Sequence, residues 1–205
     1  GTKKVLINAG NTIYVWNSAT SVFDSLGTVT TQNERFHWTQ FTDLAIGISE
    51  TNGAVKYDAA TLAALGGNPP TGIAPPLGGT AICAYRNRVF IGRQLTLYYC
   101  ASGAPEDWTT ANHAGNLPIP AFQAIKITGF LPLYTRLIIF CDNEVFELTG
   151  TGPTDFAING VSYVYGNEGT AEAVCLAGNE AYWPSTKGVH RLSVTDSNAA
   201  LGYLE

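Results

Sequence analysis

Short apolar runs alternate with short polar turns along the whole chain, and the runs come in pairs. The first members of the pairs are Val5-Leu6-Ile7-Asn8, Leu44-Ala45-Ile46-Gly47, Val89-Phe90-Ile91-Gly92, Leu137-Ile138-Ile139-Phe140 and Glu180-Ala181-Tyr182-Trp183. The second members are Ile13-Tyr14-Val15-Trp16, Val55-Lys56-Tyr57-Asp58, Leu97-Tyr98-Tyr99-Cys100, Val145-Phe146-Glu147-Leu148 and Val189-His190-Arg191-Leu192. Between them lie Ala9-Gly10-Asn11, Glu50-Thr51-Asn52-Gly53, Arg93-Gln94, Asp142-Asn143-Glu144 and Ser185-Thr186-Lys187-Gly188. Runs rich in β-branched and aromatic residues, joined by such turns, predict β-hairpins.

The second series starts at 13, 55, 97, 145 and 189, so the hairpin recurs after 42, 42, 48 and 44 residues. A smaller echo keeps the same register. Trp16-Asn17-Ser18-Ala19-Thr20 matches Tyr57-Asp58-Ala59-Ala60-Thr61, where Asn or Asp can accept from the backbone two residues on and turn the chain. A short helix over "DAATLAAL" is conceivable, but "NSATSVFDSL" is a poor helix, so a turn into an outer strand is expected in both places. Further strands are expected before four of the hairpins, over 35–41, 80–86, 123–130 and 170–176. A four-stranded unit of this length is the blade of a β-propeller. The expected fold is therefore all-β, a propeller of about five blades or part of a larger one, over 1–34, 35–79, 80–122, 123–169 and 170–205. A β-sandwich is the alternative, but it does not predict the long-range echo. The first unit lacks a strand before Lys3. Either that strand lies upstream in a longer chain, or Asn198 to Leu204 closes the ring there.

Composition fits this picture. The chain has 205 residues, 45% hydrophobic and only 13% charged, with 22 Gly and 10 Pro. That suits many short strands and turns rather than a helical bundle. The net charge is −5, and no basic cluster exceeds Lys3-Lys4, so a nucleic-acid grip by a basic face is excluded. No run approaches the roughly 20 apolar residues of a membrane helix. The absence of an Asn-x-Ser/Thr sequon gives no support to a glycosylated surface protein, and with no methionine the chain is expected to be processed, trimmed or part of a longer polypeptide. Cys83, Cys100, Cys141 and Cys175 sit singly inside apolar runs and are expected as buried free thiols.

Catalytic, cofactor-binding and metal-binding residues are not expected. His37, His113 and His190 fall in three different units, and no pair has metal-ligand spacing. Glu106-Asp107 are adjacent, so in an extended chain they point apart and suit an acidic cap before Trp108 better than a hydrolytic pair. Asp142-Asn143-Glu144 resembles a calcium loop in composition only and reads as a hairpin turn. "DSLGTVT" (Asp24 to Thr30) is a partial, single echo of the Asp-box turn of sialidases. Arg86, Arg88, Arg93, Arg136 and Arg191 flank the inner strands and are expected to bridge blades, with Asp43–Arg88 as one such link.

"YRNRVFIGRQLTLYYCASGAPEDWT" (Tyr85 to Thr109), "RLIIFCDNEVFELTG" (Arg136 to Gly150) and "STKGVHRLS" (Ser185 to Ser193) occur in an order that resembles the tail nozzle, or tail tubular, proteins of short-tailed bacteriophages. The matching positions in the first segment are Asn87, Arg88, Ala101 or Ser102, Pro105, Asp107 and Trp108. The resemblance implies a β-propeller body without catalysis, located in the virion. It implies identical copies in a ring, portal and adaptor proteins as neighbours, and surfaces for tail fibres or spikes. It also implies a lumen that DNA passes without specific binding, which an acidic wall would favour. The competing expectation is a carbohydrate-binding or polysaccharide-degrading propeller, in which Tyr14, Trp16, Tyr57, Tyr98 and Trp183 would be exposed as stacking platforms. A third is an interaction propeller of secreted or periplasmic type. Gly66 to Gly79 and Thr109 to Phe122 are expected as loops, the first a Pro-rich extended arm.

Overall fold

The structure, a computed structural model, describes residues 4–66, 78–169, 171–194 and 199–203. It is all-β, with five antiparallel sheets met one after another along the chain. The first sheet holds β1 (Leu6–Ala9), β2 (Thr12–Asn17) and β3 (Val22–Thr28). The second holds β4 (His37–Phe41), β5 (Leu44–Ser49), β6 (Gly53–Tyr57) and β7 (Leu62–Ala64). The third holds β8 (Ala81–Tyr85), β9 (Arg88–Arg93), β10 (Thr96–Tyr99) and β11 (Gly115–Pro118). The fourth holds β12 (Ile127–Leu133), β13 (Arg136–Cys141), β14 (Val145–Thr149) and β15 (Ala157–Ser162). The fifth holds β16 (Cys175–Ala177), β17 (Glu180–Ser185), β18 (Gly188–Val194) and β19 (Ala199–Tyr203). In every sheet the spatial order is the chain order.

The recurring hairpin is the central pair of each four-stranded sheet. The strands before it, β4, β8 and β12, neighbour one another, so these first strands lie innermost. Each is joined to the next strand by a two-residue turn, and the first turn residue has positive φ in all four sheets that have one. These residues are Thr42, Arg86, Tyr134 and Gly178. Such turns match the right-handed twist of the flanking strands.

Three apolar clusters lie between successive sheets. Ile46, Ile48, Val89, Ile91 and Trp108 fill the space between the second and third. Phe90, Leu97, Ile127, Leu137 and Phe146 fill that between the third and fourth, and Ile138, Phe140, Val145 and Trp183 that between the fourth and fifth. One strand thus feeds two cores. Val89 and Ile91 point to one side of β9 and Phe90 to the other, because successive side chains leave a strand in opposite directions. That is why "VFIG" and "LIIF" are continuously apolar: the middle sheets are covered on both faces. The end sheets are covered on one. Exposure alternates along β1 and β2, and Val5, Ile7, Phe23, Leu176 and Val189 remain exposed.

Several expectations need correcting. The described part of the segment from Asn198 to Leu204, Ala199–Tyr203, does not complete the first sheet. Its strand β19 pairs with β18, with Leu201 opposite Leu192. A partner a few residues away in sequence costs less loop entropy than one across the fold. Thr109 to Phe122 is not a free loop. It contains a short 3-10 helix, Thr110–Asn112, and β11, whose Leu117 faces Leu97. Of the Pro-rich arm, residues 67–77 lie outside the described residues. Cys83, Cys100 and Cys141 are buried, but Cys175 is exposed on the short strand β16.

Candidate functional site

Apolar runs build the sheets, and the polar residues between them are spent on turns. One end of the array gathers the linkers entering each sheet and the turns of the recurring hairpins. A carboxylate ties the two together three times. In the second sheet Glu34, on the linker, accepts from Ser49 Oγ at 2.9 Å, Thr51 N at 2.8 Å and Thr51 Oγ1 at 2.6 Å. Burial alone would raise its pKa, but the bonds from Thr51 and Ser49 outweigh that and hold it below the usual range. In the fifth sheet Glu168, again on the linker, accepts from Thr186 N and Oγ1 at 3.2 and 2.8 Å. In the fourth sheet the roles reverse. Glu144, on the β13–β14 turn and fully buried, accepts from the linker amides of Phe122, Gln123 and Ala124 at 3.0, 3.3 and 3.1 Å. Asp142 beside it accepts from Ile125 N at 3.0 Å. The acidic triplet Asp142-Asn143-Glu144 is thus a turn that grips backbone.

At the same end, Glu172 lies in the short 3-10 helix Ala171–Ala173 ahead of β16. Its carboxylate meets His37 Nδ1 at 2.8 Å and Arg35 Nη1 at 3.3 Å, and both of these belong to the start of the second sheet. The contact joins sheets that are not consecutive. Sequence gave no sign of it, because it spans 135 positions and none of the three residues sits in a motif. Arg35 and Glu172 form an ion pair there, His37 adds a hydrogen-bond contact, and the set supplies no nucleophile.

The other two histidines lie elsewhere, His190 on β18 and His113 after the 3-10 helix. His190 is fully buried, stacked on Tyr165 at 4.8 Å, and its burial pushes its pKa down. Its Nε2 is 2.6 Å from Ser185 Oγ, a Ser–His contact of the kind hydrolases use. That hydroxyl also accepts from Lys187 N at 3.0 Å, and the imidazole lies against Trp183, so the pair organises the β17–β18 turn. His113 ends the 3-10 helix in a left-handed conformation.

The opposite end carries the remaining turns. Asp58 accepts from Thr61 N and Ala60 N, and Asn17 accepts from Ala19 N, which is the Asx echo seen in sequence. Asp155 accepts from Gly152 N and Thr151 N. Glu106 and Asp107 diverge. Glu106 pairs with Lys56 Nζ at 2.6 Å, while Asp107 accepts from Thr109 and Asn112 and so caps the turn around the buried Trp108. Asp58, Asp107 and Asp155 all sit below the usual carboxylate range because their turns donate to them. The Asp43–Arg88 link is absent. Arg88 Nη1 instead donates to the carbonyls of Cys100 and His113 within its own sheet, because its side chain is buried beneath that loop. Among the arginines read as bridges, Arg86 reaches the next sheet, donating to Thr135 O at 3.0 Å. Arg136 pairs with Glu147 at 2.5 Å and Arg191 with Glu180 at 3.5 Å, each within one sheet. Tyr57 and Trp183 are buried and cannot serve as stacking platforms, and Trp16 packs edge-on against Phe23 at 5.0 Å.

Burial pushes the Cys83 thiol far above its ordinary value and Cys141 to about 12, so neither is a ready nucleophile. Among the described residues no group of three His, Cys, Asp or Glu could hold a metal ion, and no helix is long and apolar enough to cross a membrane.

These features define a class, the propeller-like all-β proteins, with polar groups committed to turns. Solved structures share the fold. The extracellular domain of a hybrid two-component system from B. thetaiotaomicron aligns with a TM-score of 0.69 at 14% identity, over 98% of this chain and 26% of that one. A chain of the mitotic checkpoint complex gives 0.61 at 13% identity, over 96% and 61%. The computationally designed Ika4 protein gives 0.50 at 12%, over 89% and 99%. The chain thus spans about a quarter of the first of these. At such identities the likeness concerns the fold alone. No family model matches the sequence, and no curated protein matches it.

Proposed function

We propose that this chain is a non-catalytic structural module of a bacteriophage tail, part of the nozzle ring through which the genome leaves. The observation that carries it is how the carboxylates are used: Glu34, Asp58, Asp107, Glu144, Asp155 and Glu168 each accept backbone N–H bonds in a turn or linker. A part whose acids are consumed in bracing loops is suited to bearing load rather than to turning over a substrate. The resemblance of the segments within Tyr85 to Ser193 supplies the tail assignment, and the net charge of −5 suits a wall that DNA slides past. Electron microscopy of the purified chain, alone and with phage portal and adaptor proteins, tests this. Rings of identical copies are expected. A chain that stays monomeric at high concentration and joins no particle would overturn it, as would hydrolysis of a capsular polysaccharide.

A further inference from the structure

We propose that Asn52 is a spontaneous deamidation site, held in check by the carboxylate of Glu34, and that its conversion to an acid frees the linker Glu34 secures. Asparagine before glycine loses its amide readily, because no Cβ on the second residue keeps the backbone nitrogen from the side-chain carbonyl carbon. The chain holds two such pairs, Asn52-Gly53 and Asn159-Gly160. Their settings differ. Asn159 sits inside β15, opposite Glu147 of β14, with Gly160 opposite Phe146. A strand holds ψ at about +135°, which turns the next nitrogen away from the side chain, so ring closure there requires breaking the ladder. Asn52 lies in the turn between β5 and β6, outside the ladder. Gly53 has φ +76°, with nothing within 4 Å of where a Cβ would stand.

The restraint on Asn52 is therefore carried by its side chain. Oδ1 accepts from Thr31 N at 2.7 Å, and Nδ2 donates to Thr31 O at 3.3 Å and to Glu34 Oε2 at 2.6 Å. Attack by Gly53 N on Cγ requires the carboxamide to swing off all three. The bond to Glu34 is charge-assisted and so the strongest of them. Glu34 is itself fixed by Ser49 and Thr51. In the reaction the Gly53 N–Cγ bond forms and the Cγ–Nδ2 bond breaks, and Nδ2 leaves as ammonia with the proton from Gly53 N. Water then opens the cyclic imide at either carbonyl. The products are aspartate with the ordinary backbone and isoaspartate with the backbone routed through Cγ. Both carry a carboxylate at position 52. The donor that met Glu34 Oε2 at 2.6 Å is replaced by a second anion, and the two carboxylates repel. Linker and hairpin turn then part, and because ammonia has left, the change runs one way.

The test is peptide mapping by mass spectrometry after the full chain has stood in warm, mildly alkaline buffer. Acid is expected to form at Asn52 at least about tenfold faster in Glu34→Ala than in wild type, the factor that one charge-assisted hydrogen bond is worth. A synthetic peptide of residues 49–56, which has no linker to hold the side chain, is expected to react at least as fast as the variant. Asn159 is expected to react at the same slow rate in both proteins and so reports on the integrity of the fold. No acceleration at Asn52 in the variant, or a peptide no faster than the wild-type protein, would overturn the proposal. Equal acceleration at Asn159 would place the protection in the fold as a whole and overturn it too. The release is read separately in Asn52→Asp, the product with the ordinary backbone. Hydrogen exchange at the Thr51 amide, which donates to Glu34, is expected to quicken at least about tenfold. Unchanged exchange there would mean that the linker stays secured after conversion and would overturn the proposal equally.

Discussion

Replacing Glu144 probes how the sheets are fastened together. Its carboxylate is inaccessible to water and accepts three amides from the linker between the third and fourth sheets. In Glu144→Ala the Ala124 amide is left buried without an acceptor, which costs about 1–3 kcal/mol. The Phe122 and Gln123 amides are nearer solvent and lose about 0.5–1.5 kcal/mol each. The sum is about 2–6 kcal/mol, which for a chain of this size lowers Tm by roughly 5–20 °C. Glu144→Gln retains one acceptor oxygen but no charge. Its amide nitrogen would meet Phe122 N where an oxygen now stands, so about half the loss is expected. Calorimetry gives the ordering wild type, Gln, Ala, and hydrogen exchange should quicken at residues 122–124 before elsewhere. An alanine variant within about 1 kcal/mol of wild type, with unchanged exchange there, would refute the role assigned to the carboxylate.

Four further outcomes are expected. Glu34, Asp58, Asp107 and Asp155 titrate below their unfolded values, so the stability they confer is complete above the ordinary carboxylate range and is lost as pH falls through their folded pKa values. Tm should therefore drop steeply on acidification below about pH 4 and stay flatter above it, as scanning calorimetry across pH would show. A thiol reagent should label Cys175 in the native protein and all four cysteines in denaturant. Trp108→Ala should cost about 3–5 kcal/mol in denaturant unfolding, since the indole is buried between sheets and donates to Pro105 O. Gly150→Ala should be destabilising despite its small change, because φ there is +99° and the new Cβ would lie 2.4 Å from Asp155 O.

The recurring hairpin was legible in the sequence because a strand covered on both faces writes an unbroken apolar run, and its polar turns punctuate it. The Asx turns at Asn17 and Asp58 were legible for a similar reason, their signal being local. The inner turns were not. Thr42 and Tyr134 adopt positive φ where glycine or asparagine would have announced a turn. β11 hid in a segment containing Pro118 and Pro120, since it lies at a sheet edge where proline is tolerated. Arg88 could not be assigned from sequence, because its partners are carbonyls, which every residue has. Nor could Glu172, whose partners are brought to it by the arrangement of whole sheets.

The latches at Glu34, Glu144 and Glu168 have one further implication. The same mechanical link is made with the acid on the incoming strand connection in two sheets and on the hairpin tip in a third. Stacking these three repeats column by column would therefore show no acidic position common to all three, although they share the fastening. In a chain built this way, internal kinship is better traced through which two segments are joined than through which letter occupies a given place.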